Sequence, residues 1–364
     1  MNFKRTGSLV AIAAVGTMLL ASCATNEGGS SGAAEGGSDL SGTISGIGAS
    51  SQQAAQESWV AGYQTANEGV TVNYDPQGSG GGRESFISGA AAFAGSDRAF
   101  TTDEISSSTF AGCTPDTGIV ELPAYVSPIA VVFNLDGITE LNLSPATIAG
   151  IFNLSITTWD ADEIAADNPG VDLPSTPITA VHRADDSGTT ENFTDYLNKT
   201  APDVWTAEAD GVWPTKDGEG ATGTSGVIDA VTNGTGTIGY ADASRAGDLG
   251  VAKVKVGDEF VGYSPEAAAA IVDASPEEEG RTEGDIAIEI DRTTDAAGVY
   301  PIVLVSYLIA CESYEDAAQG ELVKSYLSYV TSDEGQQVAA EAAGSAPISS
   351  ELSTQVATAI ELIK

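Results

Sequence analysis

The sequence predicts an α/β protein of two lobes, hinged by two crossover segments. Three observations carry that expectation. A β-rich run, a Gly/Ser-rich turn and a helical pattern follow one another near residues 42, 70 and 179. Two long extended apolar segments, residues 121–134 and 300–308, match each other as an outward and a return crossing. Residues 41–364 are too long for one small core and suit two α/β domains.

The chain opens on Lys4 and Arg5, followed by an apolar run over residues 8–20 that is short for a membrane span. Leu20-Ala21-Ser22-Cys23 then resembles a bacterial lipobox, in which cleavage precedes a cysteine that takes up lipid. An ordinary secretory signal with a chance cysteine is the other reading. The positive start, the short apolar core and the placed cysteine together favour the lipobox. Residues 1–22 are therefore expected to be a lipoprotein signal peptide and Cys23 the lipidated residue. Residues 23–40, rich in Gly, Ser, Ala and Glu, read as a flexible linker.

Charge excludes whole classes of partner. The chain carries 14 Lys and Arg against 52 Asp and Glu, a net charge of −38. Loss of residues 1–22 removes only Lys4 and Arg5 and takes it to −40. Nucleic acid and anionic membrane surfaces are poor partners for such a chain. An anionic ligand is still allowed, because surface charge is screened beyond roughly 10 Å and a buried site works by its local donors. The acidity itself reads as solubility. Of three cysteines, Cys23 is assigned to lipid. Cys113 and Cys311 remain in an exported chain, as a disulfide or as two free buried thiols, and the bridge is the expectation.

The body opens on a short strand at residues 42–45, a turn at 46–51 and a helix carrying Trp59, Val60 and Tyr63. An alternating run at 70–74 leads through Gln77-Gly78-Ser79-Gly80-Gly81-Gly82 into a second helix. Residues 93–97 read as a third strand that ends in a carboxylate, Asp97. Neither glycine turn completes a nucleotide motif. The second lacks the Lys-Ser/Thr ending of a P-loop, and Ser51 stands at the last glycine position of the dinucleotide fingerprint.

Further on, Ser144 and Pro145 start a helix by cap and first-turn proline. A short helix is expected at 225–231, a strand at 237–240 and a solvated helix and loop at 264–285. The tail carries helices near 316–330 and 333–343.

The stretch that organises the chain is His182-Arg183-Ala184-Asp185-Asp186-Ser187-Gly188-Thr189-Thr190. It joins a strand end to an amphipathic helix with Phe193, Tyr196 and Leu197 at helical spacing. The first amides of a helix lack intrahelical partners and its dipole is positive there. Ser187 and Thr189 add hydroxyl donors, Gly188 admits close approach, and Arg183 adds a planar fork suited to a tetrahedral oxyanion. This turn reads as half of an anion cradle. Ligands of open α/β sheets sit at the carboxyl ends of strands, so the three turns can converge on one small anion.

At this point the chain resembles the phosphate-binding lipoproteins of bacterial ABC phosphate importers, over nearly its whole mature length. Residues 144–153, Thr158-Trp159-Asp160, Asn168-Pro169-Gly170, Leu173-Pro174, the turn at 183–189, Val212-Trp213-Pro214-Thr215 and residues 236–240 match that family in order and spacing. The resemblance implies a type II periplasmic-binding fold. It implies lobe I at 41–124 plus 303–364 and lobe II at 125–302. It also implies a monomeric receptor, held by Cys23 on the outer face of the cytoplasmic membrane, that hands inorganic phosphate to ABC permease subunits. Neither cofactor nor metal is expected.

The family's ligand residues fall on this chain position by position. Its first turn maps to Gly46 through Ser51, with Ser50 as hydroxyl donor and Ser51, in place of the usual phenylalanine, supplying an amide. Its second turn places a donor on Ser79. The aspartate that accepts a proton from phosphate maps to Asp97, the arginine to Arg183, and the remaining donors to Ser187, Gly188 and Thr189. Asp186 departs from a common glycine, and Asp185 reads as a buttress for Arg183. Phosphate near neutral pH keeps a proton and sulfate keeps none, so an acceptor at Asp97 selects between them.

Rival readings are a receptor for sulfate, molybdate or tungstate, and a surface lipoprotein that keeps the fold without binding. An enzyme reading is weak. The only histidine, His182, is expected to face away from Ser187, and no Gly-x-Ser-x-Gly elbow is present.

Overall fold

The computed structural model of the protein describes residues 40–364. The expected signal peptide, Cys23 and the linker up to residue 39 lie outside the described residues. Among the described residues, no helix is long and apolar enough to cross a membrane.

The first lobe grows from three parallel strands. β1 (Gly42–Gly48) lies between β2 (Val70–Asp75) and β3 (Phe93–Ser96). Helices α1 (Gln53–Ala66) and α2 (Ser79–Ile87) make the connections, and α3 (Thr102–Ser107) follows β3 behind a capping box from Thr101 and Glu104. β1 runs past Ser45, where the sequence suggests a turn, because Gly46 and Gly48 continue the ladder. A Cβ on Gly48 would lie 2.0 Å from the Gly95 carbonyl oxygen of β3, and one on Gly46 would lie 2.2 Å from the Phe93 ring. Only glycine lets the strands meet this closely.

β4 (Ile119–Asn134) is buried at every residue but its last, as the unbroken apolar run implies. β5 (Glu140–Leu143) leads to α4 (Pro145–Phe152), which Ser144 caps by accepting from the Thr147 amide, with Pro145 in the first turn. After α5 (Asp162–Asp167) come β6 (Thr179–Arg183) and α6 (Gly188–Thr200). Next come β7 (Glu219–Ala221), α7 (Gly223–Asn233), β8 (Thr237–Asp242), β9 (Gly250–Val256), β10 (Glu259–Val261) and α8 (Pro265–Asp273). The chain then returns through β11 (Val303–Cys311) and closes with α9 (Ala317–Val330), α10 (Asp333–Ala343) and α11 (Ser350–Ile360).

β4 joins the two lobes into one sheet of order β2-β1-β3-β11-β4-β8-β6-β7. Its residues 119–128 pair antiparallel with β11, and residues 129–134 pair antiparallel with β8. β9 lies beside the far end of β4 and carries β5 and β10. The prolines of β4 sit where a missing N–H does least harm. Pro128 is the last residue paired to β11, and Pro123 borders a register shift between Ser306 and Tyr307. The shift leaves Ala124 of β4 as the extra residue, so the bulged strand is β4.

Two expectations change here. α8 is not a solvated helix: Ala267, Ala268, Ile271 and Val272 are buried, and the helix packs on β4. The tail holds a third helix, α11, capped by Ser349 and seated on β4 through Leu352, Val356, Ala359 and Ile360.

Cys113 and Cys311 form a disulfide with Cα atoms 5.3 Å apart, tying the segment before β4 to the end of β11. The bridge spans 198 residues of sequence. The chain-entropy model puts the stabilisation from so long a loop at about 5 kcal/mol at most. Reduction is therefore expected to lower the thermal midpoint in scanning calorimetry by many degrees. An unchanged midpoint would mean that the bridge contributes nothing to folding.

Candidate functional site

Four helix starts meet at one place. β1 ends at Gly48, Ala49 donates to the Gly95 carbonyl over 2.9 Å, and a single turn at Ser50–Gln52 opens α1. The Gly78 amide donates to the Gly48 carbonyl over 2.8 Å, and Ser79 begins α2. Ser187 caps α6, its hydroxyl accepting from the Thr190 amide over 3.2 Å. The fourth start is α7, where the Thr224 amide donates to Ser50 Oγ over 3.1 Å. The positive dipole ends of these helices thus face a common point.

Gly78 shows how tightly the turns meet. Its φ of 98° is one that side chains resist, and a Cβ there would lie 2.8 Å from an Asp185 carboxylate oxygen. A Cβ on Gly188 would lie 2.8 Å from both Asp97 Cβ and Ser79 Oγ.

Asp97 stands at the centre. Its carboxylate accepts from Ser51 Oγ at 2.7 Å, Thr189 Oγ1 at 2.9 Å and Ser306 Oγ at 3.1 Å, and its amide donates to Ser79 Oγ at 3.1 Å. Burial pushes the Asp97 carboxyl above its ordinary range. The three hydroxyls and the Arg183 charge pull it back only in part.

Arg183 ends β6 and is 2% exposed. Its Nε donates to Asp185 Oδ1 over 2.7 Å and its Nη2 to Asp185 Oδ2, a forked pair that fixes the guanidinium plane. The Gly223 amide also donates to Asp185 over 3.0 Å. Burial alone would raise the Asp185 carboxyl; the Arg183 hydrogen bond and charge, with the Gly223 amide, hold it below the usual range.

The structure gathers all eight residues that the sequence singles out: Ser50, Ser51, Ser79, Asp97, Arg183, Ser187, Gly188 and Thr189 are all buried around this point. Asp186 turns away from it. Its carboxylate faces Arg83 at 3.7 Å and its side chain is 46% exposed. His182 is stacked on Trp213, with centroids 4.8 Å apart, and its Nδ1 lies 2.8 Å from the Arg183 carbonyl oxygen. It has no hydrogen bond to Ser187.

Several members of the site are absent from the sequence reading. Thr224 pairs its hydroxyl with Ser50 at 3.0 Å from 174 residues away. Ser306 stands 209 residues from the carboxylate it serves; its only signal is that it is the lone aliphatic hydroxyl in the run Val-Leu-Val-Ser-Tyr-Leu-Ile. Asn192 donates to the Asp97 carbonyl over 2.7 Å. Arg98 reaches Glu191 of α6 at 2.6 Å and holds Glu104 with a second fork.

Comparison with known proteins bears on this geometry. A family model described as a PBP superfamily domain matches residues 33–334. Phosphate-binding protein PstS 2 of Mycobacterium tuberculosis is 31% identical over 381 residues, covering all of both chains. Phosphate-binding protein PstS 3 of the same species is 32% identical over 380 residues, again covering both chains fully. Phosphate-binding protein PstS of Xylella fastidiosa is 30% identical over 76% of this chain and 74% of its own. Among solved structures, a high-affinity periplasmic phosphate-binding protein (PfluDING) bound with phosphate superposes with a TM-score of 0.70 at 23% identity. It covers 87% of this chain and 93% of its own. A putative phosphate ABC transporter substrate-binding protein from Clostridium perfringens gives a TM-score of 0.60 at 18% identity, over 85% of this chain and 100% of its own. These two likenesses show the fold.

Proposed function

The chain belongs to the PstS phosphate-binding proteins of the PBP superfamily, and from that premise we propose that it is an extracytoplasmic receptor that binds inorganic phosphate and delivers it to an ABC import permease. The observation that carries this reading is the pairing of one buried acceptor with one buried fork of donors. Asp97 offers a carboxylate to the proton that phosphate keeps. Arg183, oriented by Asp185, offers N–H groups to its oxygens. The Ser50, Ser79 and Ser187 hydroxyls, with amides such as those of Ser51 and Gly188 at the helix starts, complete a shell of donors around them, while the Ser51 and Thr189 hydroxyls donate to the Asp97 carboxylate and hold it in place.

The lobes divide as 41–124 plus 303–364 against 125–302, and they close on the ligand by hinge bending. What supports this division is the change of partner along β4, from β11 to β8, near Pro128. Ser50, Ser79 and Asp97 then come from one lobe and Arg183 through Thr189 from the other, so phosphate bridges both and stabilises the closed state. The permease reads that closed state. The receptor is a monomer without catalytic activity. Cys23 anchors it by lipid to the outer face of the cytoplasmic membrane, and residues 23–40 give it reach.

Isothermal titration of the purified chain, freed of co-purified ligand, with phosphate and then sulfate at one pH tests the reading. Micromolar or tighter phosphate binding with no sulfate heat is the expected result. Sulfate or molybdate binding in its place would move the chain to another oxyanion, and no heat with any of them would leave a scaffold without a ligand.

A further inference from the structure

Beyond the residues that face the ligand, one buried node ties the site to the returning crossover. Asn192 lies in the second turn of α6. Its Nδ2 donates to the Asp97 carbonyl over 2.7 Å and to the Gly188 carbonyl over 2.9 Å. Its Oδ1 accepts from Arg292 Nη2. Arg292 is 3% exposed, and its Nη1 donates to the carbonyls of Pro301 and Val303 over 3.0 Å each, at the point where β11 begins. Its Nε donates to Asp195 Oδ2 over 2.6 Å.

We propose that Asn192 and Arg292 are positioning residues for phosphate binding, locking the Asp97 loop, the start of α6 and the start of β11 into one geometry. The inference rests on the phosphate-receptor reading and adds to it.

The argument is one of directional satisfaction. A side-chain amide has a donor end and an acceptor end. Here Nδ2 meets two carbonyls and Oδ1 meets a guanidinium, so the amide has one workable orientation. Arg292 enforces it, because the flipped amide would set N–H against N–H. The amide in turn holds the carbonyl of the residue whose carboxylate accepts the ligand proton, and it pins that residue to the helix start that supplies Gly188 and Thr189. A buried guanidinium is tolerated only with its partners in place, and three of these are Asp195 and the two carbonyls of the crossover. Sliding of β11 relative to α6 therefore strains this node first. Asn192, Asp195, Arg292 and Asp97 line one wall of a cleft of about 310 Å³ beside the site.

Asn192→Asp is the sharpest test. The new carboxylate keeps its Arg292 partner and nearly the same shape, but it presents oxygen to the Asp97 and Gly188 carbonyls. Arg292→Lys is the second variant; it keeps the charge beside Asp195 and loses the flat fork. Phosphate affinity is read by titration, dissociation rate by stopped flow, and stability of the ligand-free chain by its thermal midpoint. Each variant is expected to raise the phosphate Kd at least about tenfold, mainly through faster dissociation, and the double variant to bind no worse than the weaker single one. A lowered thermal midpoint with phosphate Kd within twofold of the unaltered chain would overturn the inference and leave the node a purely structural one. An unaltered chain that binds no phosphate would instead overturn the receptor reading, and the inference with it.

Discussion

An Arg183→Ala variant is expected to bind phosphate at least about a thousandfold more weakly than the unaltered chain. Two effects add. The guanidinium is almost fully buried, so its ligand hydrogen bonds are charge-assisted and worth roughly 1.5–3 kcal/mol each. Its removal also strands Asp185, whose carboxylate keeps the Gly223 amide but loses its forked partner. Breaking a buried pair costs roughly 3–5 kcal/mol, and part of that falls on the fold. The stranded charge also repels an incoming anion. The loss should be alike for phosphate and any other oxyanion, because Arg183 reads charge and shape and does not read the ligand's proton. Titration of phosphate into the folded variant, with its thermal midpoint recorded alongside, checks this. An unaltered affinity would remove Arg183 from the site.

Asp97→Asn is expected to act on selectivity. The buried carboxylate accepts the phosphate proton and sets its own charge against a fully ionised sulfate. Asparagine turns one acceptor into a donor. Phosphate affinity should fall by roughly ten- to a hundredfold, while sulfate, no longer facing a buried like charge, gains. In a competition titration the ratio of the two affinities should collapse by at least about a hundredfold, and an unchanged ratio would show that Asp97 is not the acceptor.

The same group sets a pH dependence. Burial raises the Asp97 carboxyl above its ordinary value of 3.8, so phosphate affinity should fall as pH drops through that raised value. Folding stability runs the other way. The folded chain holds the Asp97 proton more tightly than the unfolded chain, so Asp97 weakens the ligand-free fold as pH rises through that window. At neutral pH the ligand-free Asp97→Asn variant should therefore melt higher than the unaltered chain, a functional residue held at a cost to stability.

What the sequence makes legible follows local chemistry. A strand that ends in Asp97, a glycine run that begins a helix at Ser79, and a turn that joins Arg183 to the cap Ser187 are each contained within a few residues. Turn chemistry and periodicity locate these turns, and the family resemblance picks Ser79 and Asp97 out of them. The buttress Asp185 lies two residues from Arg183, and the pair forms as expected.

The site members that escape notice come from far along the chain. Thr224 reaches Ser50 because α7 starts beside α1, and Ser306 reaches Asp97 because β11 pairs with β3, setting Tyr307 opposite Ser96. No local pattern carries that information. Ser51 is a middle case. Its amide is expected from the turn, yet its hydroxyl, bonded to Asp97 over 2.7 Å, is a consequence of the fold. α8 misleads for another reason: its alanines and flanking glutamates suggest a solvated surface, while Ala267, Ala268, Ile271 and Val272 form a narrow buried stripe.

The most direct test of the central claim is a crystal structure of the chain grown with phosphate. The account predicts one tetrahedral density between the starts of α1, α2 and α6. One of its oxygens should lie within hydrogen-bond distance of the Asp97 carboxylate and another within reach of the Arg183 guanidinium, with Asp186 still turned toward Arg83. Phosphate seated elsewhere, or seated there with Asp97 or Arg183 out of reach, would contradict it.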